Sequence, residues 1–557
     1  AQRSQPQSFR MELVSTMNLV ELLPMGASSA RFAPETDATR LYTARDGKSM
    51  SGGANVPEGS DIWGWTDPLT GDEIAIVAMN VGTSFVSLAD PFNPVLLGHL
   101  PTETTARPWR DVKVYNNHAF IVADGAGLHG MQVFDLTRLR GVTDPQVFAA
   151  DTVYDGVGSV HNIAINDATG YAYLIGDIGN QAMGLHIVDI STPTSPTLVT
   201  SWNNRYTHDT QVVIYNGPDT DYQGREIAFS SDEDRISIID VTDKQDITVI
   251  NEVFYTGVAY THQGWLTEDH RYFLSNDEID EINNGHNTRT YLWDFSDLDN
   301  PQFINYYEHG TASIDHNLYT HNGQVYLANY TSGLRVFDLD DIANGDLSLA
   351  AYYDTYPANN GNSFNGAWSS YPYFASGNII VGDINNGLFV VRQADVAPEP
   401  TNLVATDINA VVPVTPTFTF THQTEISQTN APADAYRVYL QLLPSTEVID
   451  VTLPVEQACS GVNCSISAVN DGSFPDWGLI NGNYRWWVGA ITGDNTVWSP
   501  VPGTFTVSVD APAPIDTQSI TAAPNQGRPT ISWAHSTSAQ FYEVYVGPGS
   551  LTYLEWH

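Results

Sequence analysis

From about residue 60 onward, short runs of β-branched and aromatic residues alternate with Gly, Asn, Asp and Pro. Apolar runs of roughly four to eight residues, bounded by turn formers, predict strands rather than helices. The pattern also repeats. A phrase of the form apolar-apolar-Asp-apolar recurs as "MQVFDLT", "LHIVDIS", "ISIIDVT", "TYLWDFS" and "LRVFDLD". Its aspartates are Asp135, Asp189, Asp240, Asp294 and Asp338, at spacings of 54, 51, 54 and 44. "SFVSLADPFNPVLLG" is a degenerate earlier copy with Ser87 at the Asp position, and "GLFVVRQ" is a later one.

One unit displays the internal grammar. "HNIAIN", "YAYLIG", "LHIVDIS" and "TLVTSW" read as four strands separated by turns. The repeated Asp is expected to cap the turn into the fourth strand through its side chain. Units of roughly 40–50 residues with four strands each predict a β-propeller. Seven units fit between residues 60 and 396. The last has three strands, so residues 18–24, in "TMNLVELLP", are expected to supply its fourth and close the ring. The N-terminal segment is therefore residues 1–59.

"SDIWGWTDP", "WRDVKVYNNHAFIV" and "HGMQVFDLTRLRG" resemble the secreted bacterial "choice-of-anchor B" family, built from LVIVD repeats. The likeness covers roughly residues 15–395. It implies a cell-surface or secreted propeller with a variable C-terminal anchor, and it brings no established activity.

The repeat stops at a Pro-rich boundary in "ADVAPEPTNL". "PTFTFTH", "AYRVYLQLL", "YRWWVGAI" and "GTFTVSV" then read as strands of a fibronectin type III or immunoglobulin-like sandwich over residues 398–511. Residues 512–557 read as the start of a second module, with about half its strands. The fold class expected is all-β: a seven-bladed propeller followed by sandwich modules.

Charge narrows the partners. Acidic residues outnumber basic ones 64 to 22, for a net charge of −42. Nucleic acid would be repelled. The acids are scattered, which suits a solvated extracellular surface, and some of them are candidates for divalent cations. No apolar run approaches the roughly 20 residues of a membrane helix. The chain opens "AQRSQ" without Met, as a mature product with its signal peptide removed would. Its two cysteines, Cys459 and Cys464, are too few for a zinc site and fit a small disulfide loop in an oxidising compartment.

Aligning the first strand of each unit exposes the candidate chemistry. One column reads Ser60, Arg110, His161, His208, His262, His316, Asn365, and the next reads Asp61, Asp111, Asn162, Asp209, Gln263, Asn317, Gly366. Innermost propeller strands surround a channel, so His161, His208, His262 and His316 are expected on one ring. Imidazole ligands point to one transition metal such as Zn, Cu or Fe. The ends of the second strands give Asn80, Asp124, Asp177, Asp232, Asp277, Tyr330 and Asp383. Asp124, Asp177, Asp232 and Asp277 are candidates for orienting the imidazoles, since a metal-bound His usually donates its other N–H. The bland alternative is that both columns only tie neighbouring blades together. Arg110 is expected to pair with Asp111 or a rim acid, with anion binding as the alternative. The remaining His129, His186, His286, His309 and His321 read as packing. "NDEIDEINNGHN", residues 276–287, reads as a solvated loop, with calcium as the sharper alternative.

Nucleophile elbow, H-E-x-x-H and P-loop motifs are absent from the sequence. Two functions follow. One is a secreted or surface propeller that binds an extracellular protein or surface partner, with a metal in its channel. The other is a metal-dependent oxidase or hydrolase that uses the same histidines.

Overall fold

The computed structural model describes residues 7–24, 42–43, 49–50, 57–177, 183–394, 401–405, 417–421, 433–443, 446–461, 463–467, 479, 482–492, 495–499, 502–508, 521–523 and 530–532. The chain divides into two compact units, Ala1–Gln393 and Ala394–His557.

In the first unit, the described strands form seven sheets of at least four strands, apart from a two-stranded pair at residues 42–43 and 49–50. The seven begin at Gly59–Thr66, Arg110–Tyr115, Asn162–Asn166, Asp209–Ile214, Thr261–Leu266, Leu318–His321 and Ala367–Tyr371. These opening strands neighbour one another in chain order, and the last returns to the first. Apolar side chains fill the space between adjacent sheets. Val133 of the second sheet packs with Ile163 of the third, Ile187 of the third with Ile239 of the fourth, and Phe229 of the fourth with Phe273 of the fifth. Ile62 of the first packs with Ile380 and Leu388 of the seventh, which closes the cycle. Sheets packed face to face around a common axis are a β-propeller.

Alternation in each strand explains the packing: both faces of an inner sheet meet a neighbouring sheet, so both are apolar. Four of the five repeated aspartates do what the pattern predicts, and the fifth, Asp338, accepts from Gln324 Nε2 at 2.8 Å instead. Asp135, Asp189, Asp240 and Asp294 each accept from the backbone N–H two residues on, at 2.9, 2.9, 2.9 and 2.8 Å.

The closing strand is not residues 18–24. Met11–Met17 pairs antiparallel with Leu388–Gln393 and completes the seventh sheet. Residues 18–24 form a turn instead. Asn18 Oδ1 accepts from the N–H groups of Val20 and Glu21, while Glu21 Oε2 accepts from Asn18 N at 2.8 Å. This reciprocal arrangement is that of a capping box, which bends the backbone and breaks a strand. Its apolar run is explained by Leu22, which is buried between the seventh and first sheets.

Among the described residues, the second unit holds two larger sheets around one core and a two-stranded pair, Thr521–Ala523 with Thr530–Ser532. Phe418 and Ile466 of one sheet meet Val438 and Trp486 of the other. Cys459 and Cys464 are joined by a disulfide. Most of residues 512–557 lies outside the described residues.

Candidate metal centre

The four column histidines stand where the first strands of the third to sixth sheets begin. Consecutive ring centroids are 4.5 Å apart for His161 and His208, 4.3 Å for His208 and His262, and 4.4 Å for His262 and His316. Beyond His316 the arc continues onto Trp368 at 4.7 Å and Tyr330 at 4.9 Å. Residues 47, 54 and 54 positions apart are thus ring-to-ring neighbours, with consecutive planes tilted by 52°, 45° and 44°.

Hydrogen bonds set the ring orientations. His208 Nδ1 lies 2.9 Å from the His262 carbonyl, and His316 Nδ1 lies 2.6 Å from the Trp368 carbonyl. A carbonyl only accepts, so each Nδ1 carries the proton. In the neutral ring, Nε2 then holds the lone pair. His161 differs, with its Nδ1 3.1 Å from Asp124 Oδ2. Burial pulls the Asp124 carboxyl up, but its bonds with His161, Ser159 and Gly125 prevail and hold it below the usual range.

A carboxylate completes the set. Glu278 is fully buried, with Oε2 3.5 Å from His262 Nε2 and Oε1 3.7 Å from His316 Nε2. Tyr330 donates its hydroxyl to Glu278 Oε1 at 2.7 Å. One ligand atom from each of His262, Glu278 and His316 lies within 4.8 Å of the others. Two ligands on a tetrahedral ion at about 2.0–2.1 Å stand roughly 3.3 Å apart. The observed gaps are close to that spacing. Two imidazoles and a carboxylate suit zinc or a non-haem iron.

The structure therefore gathers two of the four column histidines with a residue that the columns do not contain. Glu278 sits one position beyond the second-strand column, next to Asp277. The aspartates of that column do varied work. Asp232 accepts from Thr207 and Ser237, and burial pushes its carboxyl up to about 7. Asp277 accepts from the N–H groups of Ala259 and Tyr260 and from Tyr255 Oη. Both tie the segment leading into the first strand to the end of the second. Asp177 is buried at the equivalent place.

The neighbouring column stitches the sheets. Asp61 accepts from Val112 N, Asp111 from Ile163 N and Gln263 from Leu318 N, each across to the next sheet, at 3.3, 2.7 and 2.8 Å. Gly366 breaks this column because a Cβ there would strike the Tyr330 carbonyl, and its φ is +95°.

Arg110 does not pair with Asp111. Its guanidinium is buried against His129 Nε2 at 3.2 Å and Thr102, and burial lowers it to about 9. Asp111 takes Lys113 instead, at 2.5 Å. His129, His186 and His309 pack inside, bonded to Arg110, Tyr154 and Thr290. His286 and His321 stand beside Asp280 and Glu268 at 3.6 and 3.8 Å.

The run 276–287 is not a solvated loop. Asp280–Asn284 is one helical turn, and Asp280 and Glu281 are buried, as is nearby Asp315. Burial and the Asp280 charge push Glu281 up to about 10. A second acidic group, Asp219, Asp297 and Asp299, lies at the surface.

Residues 157–204 match the LVIVD repeat family. That stretch is the third sheet, with His161 at its head. No curated protein matches the chain. Among solved structures, the β-propeller domain of Myceliophteria thermophila Cps50 (Swd1) is 10% identical, with a TM-score of 0.40, over 61% of this chain and all of that one. A computationally designed protein, Ika8, is 11% identical with a TM-score of 0.37, over 62% of this chain and 85% of that one. The propeller assignment rests on the chain's own sheet order. No helix among the described residues is long and apolar enough to cross a membrane.

Proposed function

We propose that the chain is a secreted or cell-surface binding protein of the choice-of-anchor B type, with a transition metal in its channel. In this reading the seven sheets are the blades of a seven-bladed propeller, and the second unit is a fibronectin type III or immunoglobulin-like spacer. The partner is an extracellular protein or surface. The observation that carries the metal is that one ligand atom from each of His262, Glu278 and His316 lies within 4.8 Å of the others. The proton held on His316 Nδ1 by a backbone carbonyl supports it, because that tautomer frees Nε2. His208 and His161 extend the stack and support the ring positions.

Three protein donors favour a second reading, a metal-dependent oxidase or hydrolase, since structural zinc takes four donors and catalytic zinc takes three plus water. Calcium at the acidic run is a companion proposal. Asp280, Glu281 and Asp315 are buried, and burial with the neighbouring acidic charges raises the carboxyls of Glu281 and Asp315. Metal analysis of the full chain, followed by exchange of bound water measured with a paramagnetic ion in the site, separates binding from catalytic readings. A site without exchangeable water would end the enzyme reading.

A further inference from the structure

Further along the same inner strands lies a cavity of about 220 Å³ whose walls come from the inner strands of at least five sheets. This is smaller than the roughly 300–1,000 Å³ of drug-sized pockets, so only a small molecule fits. One wall is aromatic. Tyr319 stands edge-on to Trp63 and Trp265, with centroids 5.6 and 5.0 Å away.

The cavity already stabilises one ammonium. Lys113 Nζ sits 4.5 Å from the Trp63 ring centroid, 2.5 Å from Asp111 and 3.4 Å from Asp61. An indole face and carboxylates are what favour a desolvated cation. Three carboxylates, Asp61, Asp111 and Asp209, act on this one lysine, and burial raises the Asp61 carboxyl well above its ordinary range and that of Asp209 to about 7. Lys113 spends its donors on Asp61, Asp111 and the Val112 carbonyl. Asp209 accepts from the Thr210 N–H through Oδ1, and lines the cavity while keeping accessible surface.

Gln263 adds the second demand. Its Oε1 is committed to Leu318 N, and its side chain is 1% exposed and lines the cavity. Its Nε2 has no hydrogen-bond partner. A buried donor left unmade costs about 1–3 kcal/mol, so a ligand oxygen there would be favoured.

We propose that this cavity binds a small organic ammonium bearing a hydroxyl. The cationic end pairs with Asp209 against the Trp265 and Tyr319 rings, and the oxygen accepts from Gln263 Nε2. The net charge of −42 draws cations toward the channel from a distance. Nothing in this inference depends on a metal at His262, His316 and Glu278.

Calorimetric titration of the full chain tests it, with choline and ethanolamine as probes. 3,3-Dimethyl-1-butanol serves as the uncharged isostere of choline, and glucose as a neutral polyol. One of the two ammoniums is expected to bind, with the isostere at least tenfold weaker. Asp209→Asn should weaken the ammonium at least tenfold while keeping the wild-type circular dichroism, and treatment of the wild type with a chelator should leave it unchanged. Should Asp209→Asn fail to fold, Trp265→Leu is read the same way. Equal binding of the isostere, binding of glucose alone, or no heat with either ammonium would each overturn the proposal.

Discussion

Two arcs of the same channel treat buried carboxylates in opposite ways. In the first and second sheets, Asp61 and Asp111 share Lys113, and each also accepts a backbone N–H from the next sheet. In the fifth and sixth sheets, Glu278, Asp280, Glu281 and Asp315 are buried together, and the groups within ion-pair distance of Glu278 and Asp280 are the imidazoles of His262, His316 and His286. Removing a carboxylate from water is costly unless a partner replaces the water. The first arc supplies its partner from within the chain and so reads as architecture. The second leaves that demand for something else, either protons or a cation, and two imidazoles stand beside it. Fold repetition alone would give both arcs the same residues.

The largest expected effect lies in the first arc. Lys113→Met leaves Asp61 and Asp111 buried without their cation and should destabilise the protein by about 3–5 kcal/mol, measured by denaturant unfolding. Such a loss is what architecture predicts. A loss under about 1 kcal/mol would erase the contrast.

The second arc should respond in the opposite sense. In chelator-treated protein, burial and Asp280 hold the Glu281 carboxyl up at about 10, against an ordinary value near 4.5. A raised acid contributes stability that is complete below its unfolded value and is lost as pH rises through the folded one. Stability should therefore fall as pH climbs from about 4.5 toward 10. Glu281→Gln should flatten that slope and raise the unfolding free energy at pH 7 by roughly 1–3 kcal/mol. Unfolding curves across that pH range check both, and destabilisation by Glu281→Gln in chelator would place Glu281 with the first arc.

A smaller effect is expected outside the channel. Arg140 holds Asp67 through two bonds of 2.7 Å, keeping its carboxyl down at about 2. This lowered acid contributes stability above its ordinary value and loses it as pH falls toward 2. Solvent screens a surface pair of this kind, so Arg140→Ala should lower the melting temperature slightly at neutral pH, with the difference fading as pH falls from about 4 toward 2.

How much of this was legible depends on whether the signal was periodic. The Asp of four apolar phrases, Asp135, Asp189, Asp240 and Asp294, marks the same turn, and its bond to the N–H two residues on is local, so sequence alone exposes it. The His column is likewise periodic, and its rings do neighbour one another at 4.3–4.5 Å, though only His262 and His316 share a ligand group with Glu278. Glu278 was not legible because it sits one position out of register, and its meaning comes from His316 of the next sheet. Residues 18–24 misled for a different reason. Their leucines look like a strand, while the Asn18–Glu21 capping box that bends them spans only four residues. Arg110 shares the column's position but not its direction, because its long side chain reaches His129 and Thr102 instead of the axis.

Metal content of the full-length chain, purified without chelator, tests the central claim most directly. The account predicts about one equivalent of a transition metal in the wild type, retained in His161→Ala and lost in the Glu278→Gln, His316→Ala double variant while the β-sheet signal persists. A wild type free of transition metal after incubation with zinc or iron, or a double variant that keeps its equivalent, would contradict it.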